Sequence, residues 1–232
     1  QVVLEEKADL LVVGAGFSKD VFKIAREAGV SVAPVVSSSK AAAISLKCGA
    51  DMIIVEGKEA GGHLGTDRPM KVILKETLDV VQGKVPVIGA GGVLSGYDIC
   101  ELLRMGASGV QMATRFVLSD ECNVDMRFKN YYLSHNKEDM RVFLSPVGYP
   151  GRAIMTDFLQ KVEDEEQGMF PCKYLCLKSC NRRFCIIDSL IIAREGNVDQ
   201  GIVFAGERFS EINDVLPVKD IIQQLVEEIQ SC

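Results

Sequence analysis

The amino-acid sequence predicts an α/β protein built on a parallel β-sheet, and three observations lead there. Short runs of β-branched residues alternate with stretches of helical periodicity at a fairly steady beat. The strand-like runs are apolar nearly throughout, rather than at every second residue, which is the pattern of strands covered on both faces. Two of those runs pass directly into glycine-rich sequence: Met52-Ile-Ile-Val55 into Glu56-Gly-Lys-Glu-Ala-Gly-Gly-His-Leu-Gly65, and Pro86-Val-Ile88 into Gly89-Ala-Gly-Gly92. Enzymes of the α/β class place ligand-binding backbone at such strand ends.

The elements follow in order. Residues 9–14 read as a strand, and residues 18–28 as a helix with Val21, Ile24 and Ala25 on one face and Ser18 as its N-cap. Residues 31–36 give the next strand and residues 39–48 the next helix, with Gly49 where a C-terminal glycine belongs. Three further strands are expected at residues 52–55, 85–88 and 110–113. The helices between them are expected at residues 70–81 and 96–105, the latter closed by Gly106. A composition shift near residue 160 divides the chain into residues 1–160 and a Cys-containing extension over residues 161–232. In that extension residues 189–194 continue a helix stopped near Gly196, residues 201–206 are strand-like, and residues 218–229 are helical. Ile221, Leu225 and Ile229 share a stripe there, which packs inward or, if exposed, offers a homodimer face. The chain opens on Gln1 rather than methionine, and residues 2–8 read as the end of a helix or a loop, so further sequence is expected upstream.

Composition narrows the function classes. With 232 residues, 47% of them hydrophobic and 25% charged, the chain has the makeup of a globular protein with an apolar sheet. A net charge of -6 speaks against nucleic acid as a partner, because phosphate backbones reward clustered Lys and Arg; the one basic cluster, residues 178–183, is short and lies among cysteines. No run of eighteen apolar residues is present, so a membrane span is not expected. Eight cysteines spread over this length read as thiols of a cytoplasmic protein rather than a disulfide framework.

Two architectures fit the rhythm, a doubly wound sheet and a (β/α)8 barrel, and periodicity does not choose between them. Gly91-Gly92 and Ala113-Thr114 stand after consecutive strands, where barrels commonly bind phosphate groups. Gly14-Ala-Gly16 resembles the start of a dinucleotide fingerprint, but position 19, which would need glycine, is Lys19. His63 is the side chain best suited to move a proton near neutral pH, and its place beyond a glycine-loosened strand end marks it as a catalytic candidate. His135, in the polar stretch Ser134-His-Asn-Lys-Glu138, reads as a surface residue.

Glu59-Ala-Gly-Gly-His63, Val87-Ile-Gly-Ala-Gly-Gly92 and Gln111-Met-Ala-Thr-Arg-Phe116 together resemble the nitronate monooxygenase family, formerly 2-nitropropane dioxygenases. The flavin-dependent enoyl-acyl-carrier-protein reductases belong to the same superfamily. The resemblance covers about residues 8–160 and agrees in the order and spacing of all three motifs. It implies an FMN-binding TIM-type (β/α)8 barrel lacking its first three strand–helix units, with residues 10–14 as the fourth strand. It also places FMN contacts at Glu56, Gly61, Gly91, Gly92, Gln111, Met112, Ala113 and Thr114, and makes His63 the active-site histidine.

Two departures stand out. Ala113 replaces the usual glycine, adding a methyl but keeping the backbone N–H. Glu56 stands where many nitronate oxidisers have glutamine, which leans toward the reductase branch. The resemblance implies oxidation of alkyl nitronates with O2, with NADH-dependent enoyl reduction as the alternative. A different class also remains, a non-catalytic fragment that binds phosphate ligands, because five strands do not close an eight-stranded barrel.

Ser145-Pro-Val-Gly-Tyr-Pro-Gly-Arg152 is rich in turn formers and resembles the family segment that returns toward the flavin; read from its residues alone it is equally a rigid linker, with Arg152 a candidate for an anionic substrate group. After the acidic run at residues 163–166 come Cys172, Cys176, Cys180 and Cys185, spaced C-x3-C-x3-C-x4-C. That spacing fits neither zinc ribbons nor common ferredoxin patterns. On a helix the first three form a stripe, so a packed apolar seam stands beside the metal reading.

Overall fold

The computed structural model describes residues 6, 8–14, 18–164, 172–176 and 180–232. The described residues fall into two compact units, one from residues 1–58, 65–111 and 228–232, the other from residues 59–64 and 112–227.

The first unit is built on a five-stranded sheet of β1 (Leu10–Val13), β2 (Ser31–Val36), β3 (Ile53–Glu56), β5 (Val87–Ala90) and β6 (Gly109–Gln111). All neighbours are parallel, and their order in the sheet is their order in the chain. A doubly wound sheet reverses its strand order at a switch point. No reversal occurs among these five strands, and a run in chain order is the arrangement that successive barrel units give. Expected strand bounds shift toward the C-terminus for β3 and β5, which brings Glu56 into the end of β3; the strand expected at residues 110–113 instead closes at Gln111 and leaves Met112 and Ala113 beyond it. Ala33, Ile54 and Ala90, buried with Val35, Met52 and Ile88 packed against them, form a core of the sheet.

The connecting helices are α1 (Lys19–Glu27), α2 (Ser39–Cys48), α3 (Met70–Val81) and α4 (Gly96–Arg104). Ser18 holds the extended backbone of an N-cap but makes no side-chain capping bond, a correction to the expected cap. Capping of α2 falls instead to Ser38, whose hydroxyl accepts the Ala41 N–H at 3.2 Å, and the helix ends at Gly49 with φ 87°. Helix α3 buries Met70, Ile73, Leu74, Thr77 and Val81, the spacing of one apolar face. At α4, Ser95 and Asp98 form a reciprocal capping box. The fingerprint-like residues 15–16 lie outside the described residues, as do 165–166 of the acidic run and 178–179 of the basic cluster.

The second unit carries an antiparallel sheet that the sequence reading did not anticipate. Its strands are β4 (Gly62–His63), β7 (Met140–Leu144), β8 (Pro150–Ile154) and β9 (Val203–Phe204), with β8 paired to the other three. The turn-rich segment from Ser145 joins β7 to β8 as a hairpin, closed by Ser145 N–H donating to the Tyr149 carbonyl, so it is a strand connection rather than a linker. Proline is tolerated at Pro150 because it is the first strand residue. Around the sheet lie α5 (Thr114–Val117), α6 (Met126–Ser134), α7 (Asp157–Glu163), α8 (Ile186–Arg194) and most of α9 (Val218–Gln230). Phe143, Ala153, Leu159, Val162, Phe184, Ile186 and Ile202 make its core. Ile221 and Leu225 of the α9 stripe are buried. Among the described residues no helix is long and apolar enough to cross a membrane.

The cysteines depart from expectation in two ways. Cys100 and Cys232 form a disulfide, so the eight are not all thiols, although the other six are free. Residues 172–176 are not helical, so the stripe of Cys172, Cys176 and Cys180 does not form, and Cys185 is the N-cap residue of α8.

Gly57 closes β3 where the chain permits no side chain. Its N–H donates to the Ala90 carbonyl, and a Cβ would stand 2.3 Å from the backbone nitrogen of Met70. Gly57→Ala is expected to cost more than about 3 kcal/mol in urea unfolding, through steric overpacking against backbone. Gly83→Ala, left-handed at φ 71° but with nothing within 4 Å, is expected to cost only about 1–2 kcal/mol.

Candidate active site

In the first unit the parallel register gathers three expected ligand positions. Glu56 pairs with Ala90, and Ala90 with Gln111, so the glutamate, the turn after β5 and Gln111 occupy the same carboxyl edge of three adjacent strands. Gly91 and Gly92 follow Ala90 with φ of 100° and 72°. Two successive left-handed residues are open essentially to glycine, and they turn the backbone so that neighbouring amides can face one concavity. Glu56 is half-buried, and its carboxylate has no ion pair or hydrogen bond among the described residues; burial pushes its carboxyl above the ordinary 4.5. Gln111 is exposed.

In the second unit the glycine-loosened segment continues into β4. A Cβ on Gly61 would stand 2.6 Å from the carbonyl carbon of Ala205, and Glu207 N–H donates to the Glu59 carbonyl. Gly61 is therefore glycine because another backbone passes against it. Gly62, at φ 83°, turns the chain so that β4 pairs with β8, Gly62 opposite Arg152 and His63 opposite Gly151.

This pairing fixes the imidazole. Residues directly opposite in a ladder point to one face, so His63, Gly151 and Phe143 share a side of the sheet. His63 Nε2 lies 2.8 Å from Oγ of Ser145, a fully buried serine, and the Phe204 ring meets the imidazole edge-on with centroids 5.2 Å apart. A Cβ at Gly151 would press on both Phe143 and Phe204 at 3.0–3.1 Å, so that glycine leaves room for the rings beside the histidine. Burial lowers the His63 pKa below 6.5, which keeps the ring neutral at pH 7 and able to accept a proton.

Thr114, at the start of α5, accepts the Gly206 N–H at 3.1 Å, and a hydroxyl that accepts retains its own O–H to donate. Met112 is half-buried and Ala113 exposed. Arg152 is buried opposite Gly62. His135, expected at the surface, is half-buried and stacks on Tyr131, with ring centroids 3.9 Å apart. Among the described residues no three His, Cys, Asp or Glu side chains stand close enough to hold a metal ion, so Cys172, Cys176, Cys180 and Cys185 are not gathered into a site. Sequence reasoning missed Ser145 and Phe204 as neighbours of His63. The hairpin signal that could have found Ser145 was Pro146, Gly148 and Pro150 between two apolar runs.

A parallel α/β sheet with glycine turns at its carboxyl edge and, in the second unit, a half-buried histidine whose pKa is lowered by burial are the parts of a ligand-binding α/β enzyme. The family model described as nitronate monooxygenase matches residues 1–228, and the chain belongs to that family. A (3aS,4S,5R,7aS)-5-hydroxy-7a-methyl-1-oxo-octahydro-1H-indene-4-carboxyl-CoA dehydrogenase of Rhodococcus jostii (strain RHA1) is 29% identical over 235 residues, covering 87% of this chain and 65% of that protein. A probable nitronate monooxygenase of Bacillus subtilis (strain 168) is 26% identical over 220 residues, covering 90% and 60%. The chain thus spans under two thirds of the length of these curated relatives. Among solved structures, FabK from Thermotoga maritima superposes with a TM-score of 0.85 at 31% identity, covering 99% of this chain and 70% of its own. A nitroalkane oxidase from Streptomyces ansochromogenes shares the fold, with a TM-score of 0.78 at 21% identity and coverage of 99% and 66%.

Two titrations follow. His63 is expected to titrate below 6.5 by NMR, and a midpoint at or above that value contradicts its desolvation. A raised Glu56 pKa contributes stability below 4.5 that is lost as pH rises through the folded value. Glu56→Gln should therefore stabilise the chain at pH 7 relative to its effect at pH 4, measured by urea unfolding at both.

Proposed function

We propose that this chain belongs to an FMN-dependent oxidoreductase of nitronate monooxygenase type, and that β1, β2, β3, β5 and β6 are five strands of an eight-stranded barrel. The sequential parallel order of those strands and the 70% coverage of the FabK chain support the barrel. In this reading the barrel strands lie within residues 1–160, which also contain β4, β7 and β8 of the second unit, and residues 161–232 form the extension.

The residues fit a flavin with a phosphate tail. The left-handed pair Gly91-Gly92 can present amides to a phosphate, and Thr114 can add its hydroxyl. Glu56, Gly61, Gln111, Met112 and Ala113 complete the proposed contacts. A bound flavin supplies the redox chemistry, and the protein supplies placement and electrostatics.

The observation that carries the catalytic reading is the neutral, half-buried imidazole of His63 against the buried Ser145 hydroxyl. Held there, it can take the proton from the carbon α to the nitro group of a neutral nitroalkane, leaving the nitronate and an imidazolium, or steady the charge of a nitronate already bound. Ser145 fixes which ring nitrogen faces the substrate, because engaging Nε2 leaves Nδ1 with the complementary donor or acceptor role. The aromatic wall of Phe204 keeps water off one side of the ring.

A second reading, NADH-dependent reduction of an enoyl thioester, has its own support. By the family resemblance Glu56 stands where many nitronate oxidisers carry glutamine, and the chain is more identical to FabK, at 31%, than to the nitroalkane oxidase, at 21%. Oxygen uptake with an alkyl nitronate in the absence of NADH favours the first reading, NADH oxidation that requires an enoyl thioester favours the second, and activity in neither overturns both. With the substrate that is turned over, His63→Gln is expected to lower kcat by about 10²–10⁴-fold while FMN affinity, read by flavin fluorescence, changes by less than about threefold. Equal loss of both would remove His63 from the chemistry.

A further inference from the structure

The Cys100–Cys232 disulfide has no place in the proposed reaction, and its surroundings are those of a latch. It joins helix α4 to the segment Glu228–Cys232, across 132 residues of sequence, and both partners belong to the first unit. Cys100 is buried in α4, whereas Cys232 is exposed. Six of the eight cysteines remain thiols, so the bridge is not one member of a structural framework. An isolated bridge with one partner residue at the surface is the kind that thiols reach and exchange.

Three polar contacts accompany the bridge. Glu228 Oε2 accepts the backbone N–H of Gly96 at 2.5 Å, Arg104 Nη2 donates to the Cys232 carbonyl at 2.6 Å, and Ser231 Oγ meets the Tyr97 hydroxyl at 3.3 Å. The first is the consequential one. Gly96 is the first residue of α4, and its N–H has no carbonyl of the same helix to meet. Ser95 and Asp98 satisfy the neighbouring amides: Asp98 N–H donates to the Ser95 hydroxyl, and Leu94 and Ser95 N–H donate to the Asp98 carboxylate. Glu228 therefore completes the cap from a distant part of the chain. Helix α4 is the element that directly follows the Gly91-Gly92 turn. Two of the three contacts are exposed and hold little by themselves; the disulfide is the covalent tie between α4 and the end of α9 that carries Glu228.

We propose that Cys100–Cys232 is a redox latch: oxidised, it fastens the segment Glu228–Cys232 to the start of α4, and reduction by a dithiol releases that segment and uncaps Gly96. The exchange balances as follows. A thiolate attacks the Cys232 sulfur, the S–S bond breaks, and the Cys100 sulfur leaves as a thiolate that takes a proton from water. The second thiol of the reductant then attacks the mixed disulfide, the Cys232 thiol is released, and the reductant leaves as its own disulfide.

Peptide mapping and backbone amide exchange by mass spectrometry, on the air-oxidised chain and after dithiothreitol, test this directly. The oxidised chain should yield a joined peptide pair containing Cys100 and Cys232. Reduction should speed exchange of the amides at residues 96–98 and 228–232 by about tenfold or more, while β3 at residues 53–56 is unchanged. Cys232→Ser removes the exposed partner without opening the buried one, and should exchange like the reduced chain with or without dithiothreitol. Glu228→Gln should still form the joined pair but exchange faster at Gly96 alone. Absence of the joined pair in the oxidised chain overturns the latch, and so does a joined pair whose reduction leaves exchange at those amides unchanged.

Discussion

The constraint on which the rest of the first unit depends is the parallel register that runs from β3 through β5 to β6. Because Glu56, Ala90 and Gln111 are aligned across the ladder, the chain leaves all three strands at one edge, and whatever follows each strand is delivered to the same place. Shifting any one strand by a single residue would send its side chains to the opposite face. Ile53, Ile54 and Val55 are buried on both faces of β3, so a slip would disrupt their packing on each side and draw the Glu56 carboxyl away from the strand end. Gly57 and the pair Gly91-Gly92 then let the chain turn at that edge without a side chain standing in the space.

A separate constraint governs the histidine. Its position is set by a two-residue strand, which would not persist alone; β8 holds it, and β8 is itself held by β7 and β9. The buried Ser145 hydroxyl and the Phe204 ring then reduce the imidazole to one orientation. The cost of this arrangement is desolvation, and desolvation is what keeps the ring unprotonated and chemically useful at neutral pH. The same physical term raises Glu56. One edge therefore holds a carboxyl pushed toward neutrality and the other unit a base pushed toward neutrality, each shifted by burial rather than by a charged partner.

Much of the first unit was legible in the sequence because its signals are local. Continuous apolar runs gave the strands, Gly49 and Gly106 gave the helix ends, and residues 70–81 carried an apolar face that matches α3 residue for residue. Strand ends were displaced by one or two residues, since a hydrophobic run says where burial lies but not where hydrogen bonding stops. The second unit was far less legible. Its antiparallel sheet pairs residues 62–63 with 151–152 and 153–154 with 203–204, and no local pattern announces partners so far apart. Ser145 acquires its meaning only through that pairing. Cys100 and Cys232 were likewise unreadable as a pair, because connectivity does not follow from spacing. The three family motifs lie at strand ends, two of them with glycines held at positive φ or against neighbouring backbone.

The central claim is that the amides after β5 grip the phosphate of a flavin. Backbone amide NMR of the labelled chain, titrated with FMN and in parallel with riboflavin, examines it most directly. The account predicts that Gly91 and Gly92 amide resonances shift strongly with FMN and little with riboflavin, since only the former carries the phosphate. Equal shifts with both, or none with either, would contradict it.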